Sequence, residues 1–600
     1  MNVTRIFDLL DNSIENYSYK DDIVAGKENG KWVKYNAKQY SQQATFFSYG
    51  LLELNIVKGD RVLTITNNRP EWNFIDMGIA QIGAIHVPIY PTLSKDDYYY
   101  ILTHCKPKLI IVSDKALVEK IKPLAGMAGF GDMFSINCVS DTKNWTEIKS
   151  IGEANSEKYA TNLALLKQSI QPSEVATIIY TSGTTGFPKG VMLSHANLID
   201  NAKASSKVHK NGPEAKALSF LPLSHVYERM LNYHYQLKGI SIYYAENMGT
   251  IAEDVKDVKP QIFCTVPRIL ELFFEKIQGK GHELPLLKKA IFFWALNLGK
   301  HYKINKSGRI ISNIKLKIAD KLVFRKIRET FGGNVDLVVS GGASLQSKLA
   351  CFFWAAGIKI IEGYGLSETS PVIAVNNLTK KRVMIGTVGP ILEGIEVKFS
   401  EDGEILCRGH NIMMGYYNDD QLTTEASDAD GWFHTGDIGT LVDGEFLKIT
   451  DRKKEIFKLS SGKYVTPQVL ENKLKENEFV EQAMVIGENE KFASALIQPN
   501  FEYLHSWCQH HKIHFADNNE LINNQQVVCR YQKVINELNK HVGQTEQIKR
   551  FRLVADEWNA NSGELSPTLK LRRKFIYEKY KDVIDQIFYS QKTDDFSKNL

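Results

Sequence analysis

The sequence predicts an α/β protein with a large N-terminal body of mostly parallel sheets, a small β-barrel-like subdomain and an α+β C-terminal domain. Over the first four hundred residues, short apolar runs alternate with amphipathic stretches, which is typical of βαβ units. From about residue 391 the strands become short and alternating, and Asp-Gly turns separate them, which favours a small antiparallel sheet or barrel. After residue 450 a basic, polar segment leads into a tail of mixed helices and strands.

Each part of this prediction depends on particular segments. The body is predicted from five β-rich runs at 61–66, 109–113, 175–180, 261–266 and 335–340, with helices at 41–54 and 71–82. The small subdomain, about 390–450, is predicted from strands at 395–399, 403–407 and 444–449. The tail is predicted to contain helices near 467–476 and 523–542.

Composition excludes several classes of protein. Six hundred residues are too many for one hydrophobic core, and 74 Lys+Arg against 69 Asp+Glu exclude a wholly cationic protein. No two of the seven cysteines lie within twenty positions of each other, so no CxxC pair is present and a reducing compartment is favoured. The N-terminus lacks a signal-peptide core, and the longest apolar run, 290–299, is about half of a membrane span. These features predict a cytoplasmic protein.

The sharpest motif is Tyr-Thr-Ser-Gly-Thr-Thr-Gly-Phe-Pro-Lys-Gly at 180–190. It follows a predicted strand and combines backbone donors, hydroxyls and one lysine, which suit a phosphate-binding loop. Its spacing does not match GxxxxGK[ST], so it does not indicate a Walker P-loop. A plain glycine-rich turn would explain a short piece of this segment but not all eleven residues.

Further segments follow in order: Ile-Glu-Gly-Tyr-Gly-Leu-Ser-Glu-Thr at 361–369, Gly-Trp-Phe-His-Thr-Gly-Asp-Ile-Gly at 431–439, and Asp-Arg-Lys-Lys-Glu-Ile-Phe-Lys at 451–458 with Ser-Gly-Lys-Tyr-Val at 461–465. Together with 180–190, these segments resemble the motifs of the AMP-forming adenylate-forming enzymes. That family includes acyl-CoA synthetases, luciferases and the adenylation domains of peptide synthetases. The resemblance extends from about residue 20 to 580.

The resemblance implies an ATP site. A carboxylate that attacks the α-phosphate brings two anions together, so the site must supply positive charge and hydrogen-bond donors. The family pattern assigns Lys189 and its loop to the β- and γ-phosphates, Glu368 and Thr184 to Mg²⁺, Tyr364 to adenine and Asp437 to ribose. The full predicted nucleotide-binding set is Thr181, Ser182, Gly183, Thr184, Thr185, Gly186, Lys189, Gly341, Gly342, Ala343, Gly363, Tyr364, Gly365, Thr369, Asp437, Arg452 and Lys570.

The C-terminal region is implied to move between two half-reactions. The Pro-Thr-x-Lys pattern at 567–570 assigns the catalytic lysine to Lys570, with Lys574 as the alternative. Many relatives carry glycine where Leu569 stands. The family pattern places a hinge at 451–454, including Asp451 and Lys454, between a body at 1–450 and a mobile domain at 455–600. It assigns CoA binding to the second step, through Ser461, Gly462, Lys463 and Tyr464.

The substrate is predicted from two further segments. Residues 220–230 and 265–271 resemble the long-chain fatty-acyl subgroup, in which the residue matching His225 lies near the acyl carboxylate. Residues 271–330 resemble an insertion of that subgroup, and 276–330 contain 14 Lys+Arg against three acids. Such a surface suits anionic lipid headgroups, or is simply a solvated helical face. No nucleic-acid-binding module accompanies the charge.

The predicted reaction converts fatty acid and ATP to acyl-AMP and pyrophosphate, and then acyl-AMP and CoA to acyl-CoA and AMP, with Mg²⁺ as cofactor. One alternative is a fatty-acyl-AMP ligase or a carrier-protein loader that shares the first step. Another is a catalytically silent acyl- or nucleotide-binding protein.

Overall fold

The computed structural model describes residues 2–130, 132–181, 187–304, 310–544, 546–559, 562–566 and 569–589. The strands are β1 (Val24–Glu28), β2 (Lys31–Tyr35), β3 (Arg61–Ile65), β4 (Ile85–Ile89), β5 (Leu109–Val112), β6 (Met133–Ser135), β7 (Lys143–Asn144), β8 (Val175–Thr181), β9 (Lys189–Ser194), β10 (Lys216–Ser219), β11 (Ser241–Tyr244), β12 (Ile262–Thr265), β13 (Leu337–Ser340), β14 (Lys359–Gly365), β15 (Val372–Val375), β16 (Ile395–Phe399), β17 (Glu404–Gly409), β18 (Gly415–Tyr416), β19 (Phe433–Val442), β20 (Phe446–Arg452), β21 (Phe457–Lys458), β22 (Tyr464–Val465), β23 (Val480–Ile486), β24 (Ala493–Pro499) and β25 (Ile548–Leu553).

The helices are α1 (Asp8–Tyr17), α2 (Ala37–Glu53), α3 (Pro70–Gln81), α4 (Lys95–Cys105), α5 (Lys115–Met127), α6 (Trp145–Ala154), α7 (Ser156–Ser169), α8 (His195–Ser206), α9 (Val226–Leu237), α10 (Ile251–Val258), α11 (Pro267–His282), α12 (Leu286–Lys300), α13 (Ile310–Ala319), α14 (Arg325–Thr330), α15 (Ser347–Ala355), α16 (Asp420–Glu425), α17 (Pro467–Lys475), α18 (Phe501–His510), α19 (Asn518–Asn523), α20 (Gln525–Asn539), α21 (Arg573–Lys579) and α22 (Lys581–Tyr589). A π-helical turn (Asp320–Phe324) joins α13 to α14, and a 3₁₀ turn (Ser367–Thr369) follows β14. None of the helices in the described ranges is long and apolar enough to cross a membrane.

Two eight-stranded sheets form the body. Their strand orders are β15-β14-β13-β12-β10-β11-β1-β2 and β18-β9-β8-β4-β3-β5-β6-β7. The inner strands pair in parallel, whereas β2, β15, β9 and β18 pair antiparallel at the margins. The inner strands are fully buried, as in β5 and β13, which explains their continuous apolar sequences.

Smaller sheets follow along the chain. A four-stranded sheet has the order β16-β17-β19-β20, and β21 and β22 form an antiparallel pair. In the last sheet, β23 pairs antiparallel with β24, and β24 pairs in parallel with β25. This mixed architecture confirms the predicted α/β fold class.

The chain divides into two compact units. The first comprises 1–398, 406–435 and 441–447, and the second comprises 399–405, 436–440 and 448–600. The predicted body ends at residue 450, whereas two short segments of the small sheet, 399–405 and 436–440, belong to the second unit. In that unit, one apolar cluster lies around Leu470, Leu504 and Tyr531, and another lies around Trp558 and Ile576.

Candidate functional site

In the first unit, Lys189 begins β9 directly opposite Thr181, the last residue of β8. The two strands are antiparallel neighbours, so Thr181 and Lys189 lie side by side at the same end of the strand pair. The predicted phosphate-binding residues Ser182, Gly183, Thr184, Thr185 and Gly186 lie outside the described residues. The lysine Nζ lies 5.1 Å from the centre of the Tyr416 ring, within cation–π range.

Tyr416 also contacts the predicted metal ligand. Its hydroxyl donates to Glu368 Oε1 at 3.0 Å, and the Met413 backbone N–H donates to the Glu368 carbonyl at 2.9 Å. Burial and the negative charge of Glu368 raise the pKa of the Tyr416 hydroxyl far above its ordinary value, so it stays a donor. The ring of Tyr416 therefore contacts the Lys189 ammonium, and its hydroxyl contacts the Glu368 carboxylate. Lys189 and Glu368 thus lie on either side of the same tyrosine side chain.

Thr369 follows Glu368 and is fully buried. Its hydroxyl donates to the Pro371 carbonyl at 2.6 Å and accepts the Leu366 N–H at 2.9 Å. These bonds fix the turn that presents Glu368. Contact between the Thr369 hydroxyl and the α-phosphate remains a prediction.

The predicted adenine-binding segments lie at the carboxyl ends of two adjacent parallel strands. Gly341, Gly342 and Ala343 follow β13, and Gly363, Tyr364 and Gly365 end β14. A Cβ on Gly365 would lie 1.7 Å from the Pro371 carbonyl oxygen, so only glycine fits there. Gly342 has a φ of +81°, a conformation that glycine adopts without strain. Tyr364 is half-buried beside these glycines.

His225 lies at the start of α9 and caps that helix. Its Nδ1 accepts the Tyr227 backbone N–H at 3.1 Å, so the neutral imidazole carries its proton on Nε2. The Tyr227 hydroxyl donates to the Val339 carbonyl at 3.1 Å, and its ring lies against Gly341. Tyr227 thus connects the helix that carries His225 to the glycine segment after β13.

Asp437 and Arg452 form an ion pair within the second unit. Arg452 Nε lies 3.1 Å from Asp437 Oδ1, and the carboxylate is buried while the guanidinium is partly exposed. Lys570 lies close enough to both residues for their charges to act on it. Its surface is exposed to solvent, yet desolvation by the surrounding protein and the positive charge of Arg452 lower the pKa of Lys570 to about 8. Asp437 and Glu455 oppose this change.

Ser566 holds Lys570 through two hydrogen bonds. The Lys570 N–H donates to Ser566 Oγ at 3.1 Å, and the Ser566 N–H donates to the Lys570 carbonyl at 2.7 Å. Leu569 has a φ of +61°, in the left-handed region that glycine favours. Glycine would suit that backbone conformation, and this chain adopts it with leucine. Lys574, the alternative to Lys570, is an exposed residue on α21.

The predicted hinge contains one buried anchor. Asp451 Oδ1 accepts the Arg452 N–H at 2.7 Å, and its Oδ2 accepts the Gln468 N–H at 3.2 Å. Burial raises the pKa of Asp451 to about 6, against the effect of these two bonds. Lys454 is exposed three residues later.

The predicted CoA-binding residues form the turn between β21 and β22. Gly462 has a φ of +83°, and Ser461, Lys463 and Tyr464 are exposed. The Lys458 ammonium lies 5.5 Å from the Tyr464 ring centre. The turn therefore presents a hydroxyl, a cation and an aromatic ring to solvent.

Sequence reasoning missed Tyr416 and two buried acids. Burial raises the pKa of Glu362, immediately before Gly363, to about 7. Burial also raises the pKa of Glu228, on the first turn of α9, to about 8, and Glu228 Oε2 has no hydrogen-bond partner in the described part of the chain. Glutamates are usually exposed, so only their places beside Gly363 and His225 could have drawn attention to them.

A buried ionic network also escaped prediction. Arg229 Nη2 donates to Asp76 Oδ1 at 2.5 Å, and Arg229 Nη1 donates to Thr177 Oγ1 at 2.6 Å. His86 Nδ1 donates to the same Asp76 oxygen at 2.6 Å. Burial alone would raise the pKa of Asp76, but the charge of Arg229 and the bond from His86 hold it below its ordinary value. This network links α3, α9, β4 and β8 inside the first unit.

Comparison with known proteins decides the family. The family model described as AMP-binding enzyme matches residues 11–417, and the model described as AMP-binding enzyme C-terminal domain matches residues 454–592. The chain belongs to the AMP-binding enzyme family. This result confirms the resemblance to adenylate-forming enzymes and the prediction that the protein is an enzyme.

Relatives of this AMP-binding enzyme match along nearly its whole length. A long-chain-fatty-acid–CoA ligase of Mycobacterium bovis is 30% identical over 571 residues, covering 93% of each chain. The peroxisomal long chain acyl-CoA synthetase 6 of Arabidopsis thaliana is 32% identical over 603 residues, covering 95% of this chain and 83% of the relative. Among solved structures, an anthranilate CoA ligase in complex with anthranoyl-AMP has a TM-score of 0.70 at 17% identity, covering 97% of this chain and 98% of that one.

Proposed function

We propose that this AMP-binding enzyme joins a long-chain fatty acid to CoA in two steps. In the first, a fatty carboxylate oxygen attacks the α-phosphorus of ATP, the bond to the β-phosphate oxygen breaks, and acyl-AMP and pyrophosphate form. In the second, the CoA thiol attacks the acyl carbonyl, loses its proton, and expels AMP. The observation that carries this proposal is the convergence of Lys189 and Glu368 on Tyr416 in a chain similar throughout to long-chain ligases.

The first step needs positive charge and oriented donors around the phosphates. Lys189 supplies a point charge beside the phosphate-binding loop. Lys570 supplies the cation for the α-phosphate as negative charge develops there. Asp437, held by Arg452, accepts hydrogen bonds from the ribose hydroxyls, and Tyr364 stacks on adenine beside its flanking glycines. His225 Nε2–H donates to the fatty carboxylate.

Glu368 fits a magnesium ion. It is a half-buried carboxylate, and oxygen ligands of this kind are the ones that Mg²⁺ prefers. The bond from Tyr416 to Oε1 fixes the orientation of the carboxylate. When bound, Mg²⁺ would neutralise phosphate charge, and Glu368 would hold it.

The second step requires access for the CoA thiol. The exposed turn of Ser461, Gly462, Lys463 and Tyr464 binds CoA, and Lys454 is the hinge residue about which the C-terminal domain, 455–600, changes orientation. Lys570 thus acts in the first step, and the turn acts in the second. Asp451 keeps the start of this segment anchored to Gln468.

The test is a coupled assay of the purified protein with palmitate, ATP, Mg²⁺ and CoA. We expect pyrophosphate release together with palmitoyl-CoA, and Lys570→Met should abolish pyrophosphate release. Lys574→Met, the matched control, should retain it. Pyrophosphate release without acyl-CoA would instead support the fatty-acyl-AMP ligase or carrier loader, and no palmitate-dependent pyrophosphate at all would support a silent binding protein.

We further propose that an anionic lipid surface is the partner of the basic helical surface, defined as the exposed side chains of 286–304 and 313–326. Seven large apolar side chains are exposed there, among them Leu286 at 86% and Leu287 at 83%. The others are Ile291, Trp294, Ile314, Ile318 and Leu322. Helix α12 buries Ala295, Leu296 and Gly299 in the body, so its apolar N-terminal end is free to enter a headgroup layer.

The charges of this surface identify the lipid. Lysines and arginines lie between the exposed apolar residues, at Lys288, Lys289, Lys315, Lys317, Lys321, Arg325 and Lys326. Basic residues near a bilayer are attracted to anionic headgroups, and apolar side chains add insertion energy. The proposed fatty acid substrate also partitions into a lipid bilayer, so binding to the bilayer would bring the enzyme to its substrate.

Vesicle sedimentation tests this partner. The protein should bind phosphatidylcholine vesicles that contain phosphatidylglycerol, and high salt should weaken binding. Replacing Leu286 and Leu287 with Gln should weaken partitioning by about 2–3 kcal/mol, which corresponds to 30- to 150-fold, while acyl-CoA synthesis from soluble substrate stays unchanged. The same replacement at exposed Leu165 is the control. Equal binding by the variant and the wild type would refute lipid insertion at this surface.

A further inference from the structure

A cleft in the second unit is lined by none of the residues assigned above. It has a volume of about 300 Å³ and lies between α18 and the first two turns of α20. This volume is at the lower end of the range for pockets that take small organic ligands, roughly 300–1,000 Å³. The cleft is therefore large enough for a compact organic molecule.

One wall of the cleft is aromatic. The rings of Trp507 and His511 stack with centres 4.3 Å apart and 30° between their planes. His511 Nδ1 donates to the Trp507 carbonyl at 2.8 Å, which fixes the imidazole over the indole. The indole ring also packs edge-to-face against the Phe479 ring, with 5.7 Å between the ring centres. A rigid aromatic wall of this kind favours a flat ring as ligand.

The opposite wall is cationic. Arg530 and Lys533 lie one turn apart on α20, and no ion pair joins either of them to a residue within the described ranges. The Arg530 guanidinium is held over the Phe479 ring at 4.3 Å, and its Nε is buried without a hydrogen-bond partner there. Arg530 and Lys533 both line the cleft, and a guanidinium binds carboxylate or phosphate groups through charge-assisted hydrogen bonds, so an anionic ligand suits this wall.

No acidic side chain lines the cleft. The remaining lining residues are Gln525, Gln526 and Cys529. The electrostatic character of the cleft is therefore positive, with amide groups at its margin.

We propose that this cleft binds a small anion that carries a flat ring, the chemistry shared by nucleoside monophosphates and aromatic carboxylates. The ring lies against Trp507 and His511, and the anionic group accepts from Arg530 with Lys533 close by. This site is separate from the residues of the proposed ligase reaction, so it stands or falls independently of that reaction.

Fluorescence anisotropy of 1-naphthyl phosphate with the full-length protein tests the site. We expect saturable binding that Arg530→Gln weakens at least about tenfold, because a charge-assisted hydrogen bond is lost. Lys533→Gln should weaken binding less, and His511→Ala should weaken it by removing part of the ring wall. Lys491→Gln removes a surface charge outside the cleft lining and should change nothing.

Three comparisons separate the outcomes. Tighter binding of 1-naphthoate than of 1-naphthyl phosphate would indicate a carboxylate source, and the reverse order a phosphate source; both orders support the proposal. Equal binding of neutral 1-naphthol would overturn it, because charge would then play no part. Unchanged affinity in both Arg530→Gln and Lys533→Gln would also overturn it, since the probe would be binding elsewhere. Thermal unfolding of each variant, matched to the wild type, shows that lost binding is not lost folding.

Discussion

The lowered pKa of Lys570 predicts how the first half-reaction depends on pH. A lysine must be protonated to stabilise negative charge on the α-phosphate, and its pKa here is about 8. At this value about nine-tenths of the molecules carry the charge at pH 7 and about one-tenth at pH 9. A lysine with its ordinary pKa of 10.5 would remain almost fully charged over that interval.

The assay is pyrophosphate release at low ATP concentration, because kcat/KM reports the ionisation of the free enzyme. We expect kcat/KM for ATP to fall about tenfold between pH 7 and pH 9. Lys570→Arg keeps a cation whose pKa exceeds 12, so any activity that it retains should lose this alkaline decline. A wild-type profile that stays flat to pH 9, with Lys570→Met inactive, would refute the shifted ionisation while keeping the residue's role.

Three further outcomes follow from the structure. Tyr416→Phe keeps the ring beside Lys189 but removes the hydroxyl that donates to Glu368. The apparent Mg²⁺ affinity in the pyrophosphate assay should therefore weaken about tenfold. An unchanged Mg²⁺ titration would contradict the positioning role of Tyr416. Arg229→Met removes the guanidinium partner of the buried Asp76 carboxylate and should cost about 3–5 kcal/mol in urea unfolding. Adding Asp76→Asn should recover part of the loss, and an equal loss in the double variant would argue against the ion pair. At Leu569, glycine would relieve the strain of the left-handed backbone by about 1 kcal/mol, but it would also raise the entropy of the unfolded chain. The free energy of unfolding of Leu569→Gly should therefore lie within about 1 kcal/mol of the wild-type value. The β-branched Leu569→Val should be less stable than either protein.

The fold class was predictable because buried parallel strands have continuous apolar sequences. The runs at 109–113 and 335–340 match β5 and β13 closely. The two-residue strand β18 was not predictable, because its pairing with β9 joins residues more than two hundred positions apart. The role of Tyr416 was missed for the same reason.

The candidate site was predictable where motifs carry its residues. Motif order identified Lys189, Glu368, Asp437 and Lys570, although their catalytic roles remain predictions. Asp76 and Arg229 were not predictable, because charged residues on helices usually face solvent and only the folded chain brings these two together.

The second unit gathers three separate stretches of chain, which matters for synthesis and for protein engineering. Residues 399–405 and 436–440 leave the ribosome before 448–600, so they cannot complete their unit until the rest of it has been synthesised. Lys453 then joins 399–405 to 448–600 through ion pairs of 2.7 Å to Asp402 and to the buried Glu404. A chimaera cut at residue 454 would leave 399–405, 436–440 and 448–453 in the recipient chain, without the rest of their own unit. Exchange of 399–405 and 436–440 together with 448–600 would keep this unit intact.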